Sequence, residues 1–404
     1  MNHVIPARAW FTQKRARRPW LIGVALGCAF AVHQPAAQDT PKRGLTGVPA
    51  LARAYDAILD GHFESVPRLL DDTCGPAPPE ACQLLDAVGA WWPIQLDPWN
   101  TAYDAAFQSK VETAIAAANA WTVREPMRAE AWFYLGAAYG ARVQWLSLRG
   151  QRLSAARDGK RIKQALERAV ALDPGMADAY FGLGLYHYYA DVAPRILKML
   201  RWVLLLPGGD RHLGMEEMLR ARRAGQLVRS EVEYQLYVIY LWYEKQPARA
   251  LELLADLRAR HPHNPHFVQA IAEIQDFYVD DTAASLRTWQ ALLDAARRGQ
   301  VAKPQLAEVT ARLGIASQLD QLSKGEAGLE HLHAVIASQP TAPFDAVARA
   351  QLQLGETLEH LGRRDEAAAA YRAAISAAGR NDPIRIAPRA RAALRAIERS
   401  AQSK

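Results

Sequence analysis

The sequence predicts an all-α protein, a right-handed α-solenoid built from helix hairpins. Ala, Leu, Arg and Glu are abundant among its 404 residues, and these residue types favour helices. Apolar residues recur every three or four positions, as at Leu251, Leu254 and Leu257, which is the spacing of one helix face. Proline and glycine separate such runs, for example at residues 207–209. Strand patterns are nearly absent, so we expect helices throughout.

Residues 1–37 have the pattern of a cleavable export signal. Basic residues without any acid precede an apolar run at residues 21–32, and small residues follow. That run is too short to cross a hydrocarbon core of about 30 Å. Ala31 is the better cleavage position and Ala37 is the second candidate. We therefore predict an exported protein of the periplasm or cell envelope.

Two details of the export route stay open. The pair Arg17-Arg18 resembles a twin-arginine motif, although paired arginines also occur in other signals. Cys28 follows residues that resemble a lipoprotein box with its leucine one place off. The alternative is an ordinary apolar cysteine in a peptide that is removed.

The charge of the chain argues against a nucleic-acid partner. The formal charge is +7, and five of these charges lie in residues 1–37, so the remaining chain carries only +2. Nucleic-acid-binding domains usually carry a strong basic excess. A nearly neutral exported chain lacks that property.

Two cysteines, Cys74 and Cys82, follow the export signal, and a turn-prone stretch at residues 75–79 separates them. In an oxidising compartment, we expect cysteines this close to form a disulfide. Closing so small a loop contributes about 2–3 kcal/mol. Two free thiols or half of a metal site are the alternatives.

A repeated helix-hairpin motif predicts the solenoid. In the C-terminal unit, a Leu354-Gly355 pair is followed, in the second helix, by Ala367, Tyr371 and Ala374. A second unit begins at Trp132 with a Leu-Gly pair and an aromatic residue, and its second helix ends at Pro174. Further units begin near the positions Tyr180, Tyr234, His266 and Leu313. The chain thus resembles the tetratricopeptide-repeat superfamily over residues 129–382, with about six hairpins of a nominal 34 residues each.

The unit that begins at Trp132 is about 14 residues longer than the repeat period. The additional residues either lengthen both helices or carry Trp145 out to a partner. The resulting organisation is a signal peptide at 1–37, a helical N-terminal cap at 38–120, a tetratricopeptide-like core at 121–300 with an apolar insert at 192–211, C-terminal repeats at 301–384, and a basic capping helix at 385–404.

The block at residues 177–250 carries a second resemblance. It contains the runs GLYHYY at 184–189, APRILK at 193–198 and LPGGDR at 206–211. These resemble the insert of the inclusion-body-clearance family of tetratricopeptide proteins and their uncharacterised bacterial exported relatives. The resemblance implies a helical scaffold associated with membranes or lipid bodies in eukaryotes. It supplies no catalytic residue, and the export signal means that the eukaryotic location does not transfer.

The superfamily resemblance implies a binding surface, because its members bind ligands on the inner face of their first helices. The matching positions in this chain are Glu130, Phe133, Asp178, Phe181, Leu185, Tyr188 and Tyr189. Aromatic residues cluster between positions 186 and 243, and they suit either a peptide groove or the core of the repeats. In the same way, Trp91 and Trp92 either both pack in the core or leave one ring for a partner.

Residues 192–206 form the most apolar segment after the export signal, with basic residues every three positions. A helix of this length does not span a bilayer. Such a helix is either buried between repeats or lies in a membrane interface, where Leu200 and Trp202 would make the contact.

No residue pattern indicates catalysis or a cofactor. His261, His263 and His266 are close in sequence, but the intervening prolines keep the stretch extended, so we predict no metal site. Hydrolase and metalloprotease motifs are missing from the sequence. We therefore predict a non-enzymatic scaffold for a protein or peptide partner, with a membrane-surface module as the alternative.

Overall fold

The computed structural model describes residues 43–193, 208–380 and 382–402, and the regular elements of these residues are all helices. The predicted all-α class is confirmed for this part of the chain. Within it, no helix combines the length and the apolar character needed to cross a membrane. Several predictions concern positions outside the described residues: the export signal at 1–37, Cys28, Leu200 and Trp202.

Seventeen α-helices occupy the described residues. They are α1 (Val48–Leu59), α2 (Val66–Thr73), α3 (Pro79–Leu96), α4 (Asp104–Arg124), α5 (Ala129–Leu148), α6 (Arg152–Leu172), α7 (Ala179–Val192), α8 (Arg211–Ala224), α9 (Arg229–Trp242), α10 (Pro247–Arg260), α11 (Pro265–Phe277), α12 (Thr282–Arg297), α13 (Pro304–Gln321), α14 (Gly325–Ser338), α15 (Ala346–His360), α16 (Arg364–Ala377) and α17 (Ile386–Gln402). Two short 3₁₀ segments, Phe63–Ser65 and Thr101–Tyr103, lie between helices of the N-terminal region.

From α5 to α16 the helices pack as six consecutive hairpins, α5/α6 through α15/α16. Each hairpin also packs on the next, because its second helix contacts the first helix of its successor. The helix α17 then covers α15 and α16. This chain of nearest-neighbour contacts is an α-solenoid, as the sequence predicts.

The Leu-Gly pairs lie where the two helices of a hairpin approach closely. A Cβ atom on Gly136 would lie 2.6 Å from Leu166 Cδ2, and one on Gly355 would lie 2.5 Å from Tyr371 Cε1. Both distances are shorter than real Cβ contacts, so a larger residue at either position would force the side chain of the second helix to shift. The tetratricopeptide-like packing therefore follows directly from the motif.

The hairpin that begins near Trp132 exceeds the repeat period because both of its helices are long. Both α5 and α6 are extended, to 20 and 21 residues, whereas α14 and α16 have 14 each. Trp145 lies in the extension but is 6% exposed, and its ring is 6.4 Å from that of Phe107 in α4. The additional residues therefore lengthen the hairpin and bury this tryptophan.

The loop between α2 and α3 is closed by a disulfide between Cys74 and Cys82, whose Cα atoms are 6.0 Å apart. The predicted pairing is present. Because both cysteines lie in the N-terminal region, the bond joins two helices that pack against the solenoid.

Residues 43–97, here called the N-terminal segment, do more than cover one end of the solenoid. Their apolar side chains share one continuous core with α4 through α11 and the start of α13. Contacts reach as far as Phe344, whose backbone N–H donates to the Asp97 carboxylate at 2.9 and 3.0 Å. The segment therefore crosses several repeats.

Candidate partner-binding surface

The first helices of the hairpins, α5, α7, α9, α11, α13 and α15, form what we call the first-helix face. The repeat pattern predicts that a partner binds on this face. Four of the seven predicted contact residues are buried there by contacts within the protein: Glu130, Phe133, Asp178 and Tyr188. Phe181, Leu185 and Tyr189 are partly exposed.

Glu130 is fully buried near the start of α5. Its carboxylate accepts hydrogen bonds from Thr46 N at 2.6 Å and Thr46 Oγ1 at 2.9 Å, and it forms an ion pair with Arg128. A carboxylate so engaged binds the protein's own N-terminal segment. Thr46 occupies the position that the sequence assigned to a partner.

Asp178 has a capping role. It is 3% exposed, and its carboxylate accepts the backbone N–H groups of Gln226, Leu227 and Val228 at 2.7–3.1 Å. These groups precede α9, so Asp178 holds the start of that helix against α7. The carboxylate can be buried because three backbone N–H groups donate hydrogen bonds to it.

Tyr188 is buried in an aromatic cluster at the end of α7. Its hydroxyl donates to Glu244 Oε1 at 2.5 Å, and its ring lies 5.7 Å from Tyr189 and 5.9 Å from Tyr243. Burial, together with the nearby Glu244 carboxylate, raises the pKa of Tyr188 far above its ordinary value. The hydroxyl therefore stays protonated and acts as a donor.

Helix α1 covers the N-terminal part of α9. Tyr55 donates to Glu231 Oε2 at 2.7 Å, and burial raises the pKa of the Glu231 carboxyl. At the end of α1, the backbone oxygen of Leu59 accepts from Asn264 Nδ2 at 2.7 Å, and Asn264 is the N-cap of α11. One helix thus links two successive repeats.

Helix α3 contributes Trp92, which is 2% exposed. Its ring is 5.7 Å from Tyr234, 5.9 Å from His266 and 6.0 Å from Phe267, all with edge-on geometry. Burial lowers the pKa of His266 to about 4, so the imidazole is neutral at neutral pH. Trp91 is also buried, so neither of the paired tryptophans is left for a partner.

The N-terminal parts of α5, α9 and α11 are therefore contacted by the N-terminal segment. The segment lies against these helices much as a bound helical ligand would. It occupies surface that a partner would otherwise reach.

The C-terminal ends of the same helices are different. What we call the aromatic edge consists of five aromatic residues and one valine: Tyr189, Trp242, Tyr243, Phe277, Tyr278 and Val279. The five residues from Trp242 to Val279, which lie at or directly after the ends of α9 and α11, are 37–58% exposed, with Phe277 the most exposed. Two ring contacts lie within this edge: Trp242 is 6.1 Å from Tyr278, and Tyr189 is 5.5 Å from Tyr243.

Sequence reasoning recovers part of this edge. Trp242 and Tyr243 belong to the aromatic cluster noted above, whereas Tyr234 and Tyr237 of that cluster are core residues. The run at 277–279 carried a usable signal, because three large apolar residues directly precede Asp280 at a helix end. Apolar residues directly before Asp280 and Asp281 are not expected to pack in the core.

A polar cavity of about 640 Å³ lies beside α1. Arg229 and Arg260 line it, and both are ion-paired with Glu233, which is fully buried. Arg222 also contacts Glu233, at 3.0 Å. These three guanidinium groups engage the carboxylate oxygens, so the cluster joins α8, α9 and α10.

The three clustered histidines do not converge. His261 is buried with its Nε2 3.2 Å from Ser230 Oγ, and His266 is half-buried beside Trp92. His263 is exposed and contacts Asp60 instead. The extended stretch around Pro262 directs the three rings to different surroundings.

No family model and no curated protein matches the chain. Among solved structures, the crystal structure of yeast Tom70 is similar, with a TM-score of 0.42 and 12% sequence identity. The match covers 80% of this chain and 65% of that chain, so this chain spans about two thirds of the Tom70 chain. The hairpin packing itself decides the fold. The chain is a tetratricopeptide-like α-solenoid.

Proposed function

We propose that this solenoid is a non-enzymatic scaffold that binds a protein partner in the cell envelope through the aromatic edge. The observation that carries the proposal is the exposure of Trp242, Tyr243, Phe277 and Tyr278 at the ends of two successive first helices, which the contact between Trp242 and Tyr278 joins. Large rings with polar tips are enriched at the energetic centres of protein interfaces. Isolated exposed apolar residues are common on soluble proteins, but several exposed rings close together favour an interaction surface.

The chemistry of the edge favours an apolar segment of a protein. Trp and Tyr offer large rigid surfaces with few rotatable bonds, so little entropy is lost when they are covered. Tyr189 belongs to this edge, and Phe181 and Leu185, at four-residue spacing before it on α7, are also partly exposed. The four buried positions named above would contribute only after internal contacts are broken.

Two observations support the envelope as the location. The sequence of residues 1–37 has the pattern of an export signal. The disulfide between Cys74 and Cys82 is typical of an oxidising compartment.

We also propose that the block at residues 177–250 is related to the insert of the inclusion-body-clearance family. Gly209 fits so closely that an added Cβ would lie 2.2 Å from His187 O. Asp210 then caps α8 by accepting the N–H groups of His212 and Leu213. The Gly-Asp-Arg turn that carries the resemblance is thus a packed element of the fold.

The test is site-specific crosslinking in an envelope-bearing host. A photoreactive phenylalanine analogue is placed at Phe277 or Trp242, and at Val123 as a control. Val123 is 74% exposed at the end of α4, away from the edge. We expect discrete protein adducts from the two edge positions and none from the control. The substitution Trp242→Ser should then abolish the adduct formed by the photoreactive residue at position 277, without lowering Tm.

Equal labelling from all three positions would contradict the edge as a binding site. Lipid adducts in place of protein adducts would move the assignment to the membrane-surface alternative. That alternative makes a separate prediction: L200E with W202E abolishes binding to anionic vesicles, whereas serine at Trp242 does not.

A further inference from the structure

Three polar side chains converge where the N-terminal segment meets the solenoid. Asp60 and His62 follow α1, whereas His263 lies in the loop between α10 and α11, 203 residues from Asp60. Their nearest oxygen and nitrogen atoms all lie within 4.8 Å of one another. This cluster is independent of the aromatic edge.

One carboxylate oxygen lies between the two imidazoles. Asp60 Oδ2 is 2.7 Å from His263 Nδ1 and 3.4 Å from His62 Nε2. In a tetrahedral zinc site with bonds near 2 Å, ligand atoms are separated by roughly 3.3 Å. The two distances to Asp60 Oδ2 therefore lie within about half an ångström of that separation, and the two imidazole nitrogens lie within 4.8 Å of each other.

The second oxygen of Asp60 fixes the direction of the carboxylate. Asp60 Oδ1 accepts the backbone N–H of His263 at 3.0 Å. Metal-ligating carboxylates are commonly oriented by such outer hydrogen bonds. The ligand is thus held in place before any ion binds.

The two loops are also fixed by their backbones. His263 O accepts from Ala302 N at 2.7 Å, and a Cβ on Gly61 would lie 2.6 Å from Ala302 Cβ. Gly61 has a φ of +92°, a value that side chains disfavour, so the tight turn between Asp60 and His62 requires glycine. Asp60 and His62 are therefore held on either side of a rigid turn.

The cluster is accessible. The side chains of His62 and His263 are 53% and 50% exposed, and that of Asp60 is 18% exposed. Asp60 and His62 also line the cavity of about 640 Å³. An ion can reach the three ligands from solvent without unfolding.

An ordinary ion pair elsewhere in the chain provides a comparison. His360 Nδ1 lies 2.8 Å from Asp320 Oδ2, a distance and an aspartate exposure (17%) that match those of the His263–Asp60 pair, and His360 is exposed as His263 is. No second imidazole within hydrogen-bond distance of Asp320 is found in the described residues. The second histidine is what makes Asp60 different.

We propose that Asp60, His62 and His263 bind a divalent transition-metal ion, with zinc as the best fit to two imidazoles and one carboxylate. Binding through Nδ1 replaces the hydrogen bond between His263 Nδ1 and Asp60 Oδ2, and the ring proton of the neutral imidazole then resides on Nε2. Three protein ligands leave a fourth tetrahedral position for water or another small ligand. The bound ion connects the N-terminal segment to the start of α11.

The test uses the mature chain without a histidine tag, stripped of metal by chelation. Calorimetric titration with Zn²⁺ should show one site per chain, and Co²⁺ should give the visible spectrum of a tetrahedral nitrogen–oxygen site. We expect H62Q, H263Q and D60N each to weaken zinc binding at least about tenfold, because even outer-shell changes have effects of this size. H360Q, the matched control, should leave the affinity unchanged.

Two results would overturn the proposal: no zinc binding by the folded protein, or equal loss of affinity in H360Q and H263Q. Circular dichroism distinguishes loss of ligand from loss of fold. Since the His62 side chain is exposed, H62Q is the substitution expected to disturb folding least. The crosslinking result at the aromatic edge is independent of either outcome.

Discussion

At their N-terminal ends, α9 and α11 are covered by the protein's own N-terminal segment, whereas at their C-terminal ends the same helices expose a row of aromatic residues. Trp92 packs at one end with 2% exposure, and Phe277 lies at the other with 58% exposure. Both are large aromatic residues, yet among the described residues ring contacts are found for Trp92 and not for Phe277. The difference indicates that the surface left for other proteins is set by where the N-terminal segment lies.

The largest effect expected from this comparison is on stability. Trp92→Ala should lower the free energy of unfolding by about 3–5 kcal/mol, because it removes a buried ring from contact with Tyr234, His266 and Phe267. Phe277→Ala should change it by less than about 0.5 kcal/mol, as for other exposed positions. Denaturation with urea measures both. Similar losses from the two substitutions would mean that the edge is part of the core.

A somewhat smaller effect is expected at low pH. Burial lowers the pKa of His266 to about 4, compared with about 6.5 in an unfolded chain. Below pH 6.5 the unfolded state binds a proton that the folded state does not, so stability falls as the pH falls from 6.5 to 4. The expected loss is up to about 3 kcal/mol.

His266→Gln should remove this loss, because glutamine does not titrate. Measuring unfolding at pH 7 and pH 4.5 for both proteins isolates the contribution of this residue. The raised pKa values of the Glu231 and Glu273 carboxyls act in the opposite direction, but both proteins share them. Parallel pH profiles would show that His266 is not buried as described.

The smallest effect is expected at the contact between α1 and α9. Tyr55→Phe deletes the hydroxyl that donates to Glu231, which should cost about 1 kcal/mol. The control is Tyr240→Phe. Tyr240 lies on the same helix as Glu231 and is partly exposed, with the Arg249 guanidinium over its ring, so this substitution should cost less. Equal values from thermal unfolding would argue against α1 being held by this bond.

The sequence predicts the repeats well because their determinants are local. Gly136 meets Leu166, and Gly355 meets Tyr371, within single hairpins that periodicity and the motif identify. The disulfide is equally local. In each case the interacting residues lie close enough in sequence for spacing to reveal the contact.

The covered face and the metal cluster were not predictable in this way. Thr46 meets Glu130 over 84 residues, and Asp60 meets His263 over 203 residues. Periodicity identifies which side of a helix is apolar, but it does not identify which distant segment covers that side. For this reason Glu130 could be read as a partner contact when it binds Thr46.

The hydrogen bonds between Asp97 and Phe344, 247 residues apart, have a consequence for how the molecule forms. In most solenoids each repeat contacts only its neighbours, so folding can start at any repeat and spread to the next. Here the end of α3 acquires its contact with Phe344 only when a segment 247 residues further along the chain is in place. Such long-range closure slows folding.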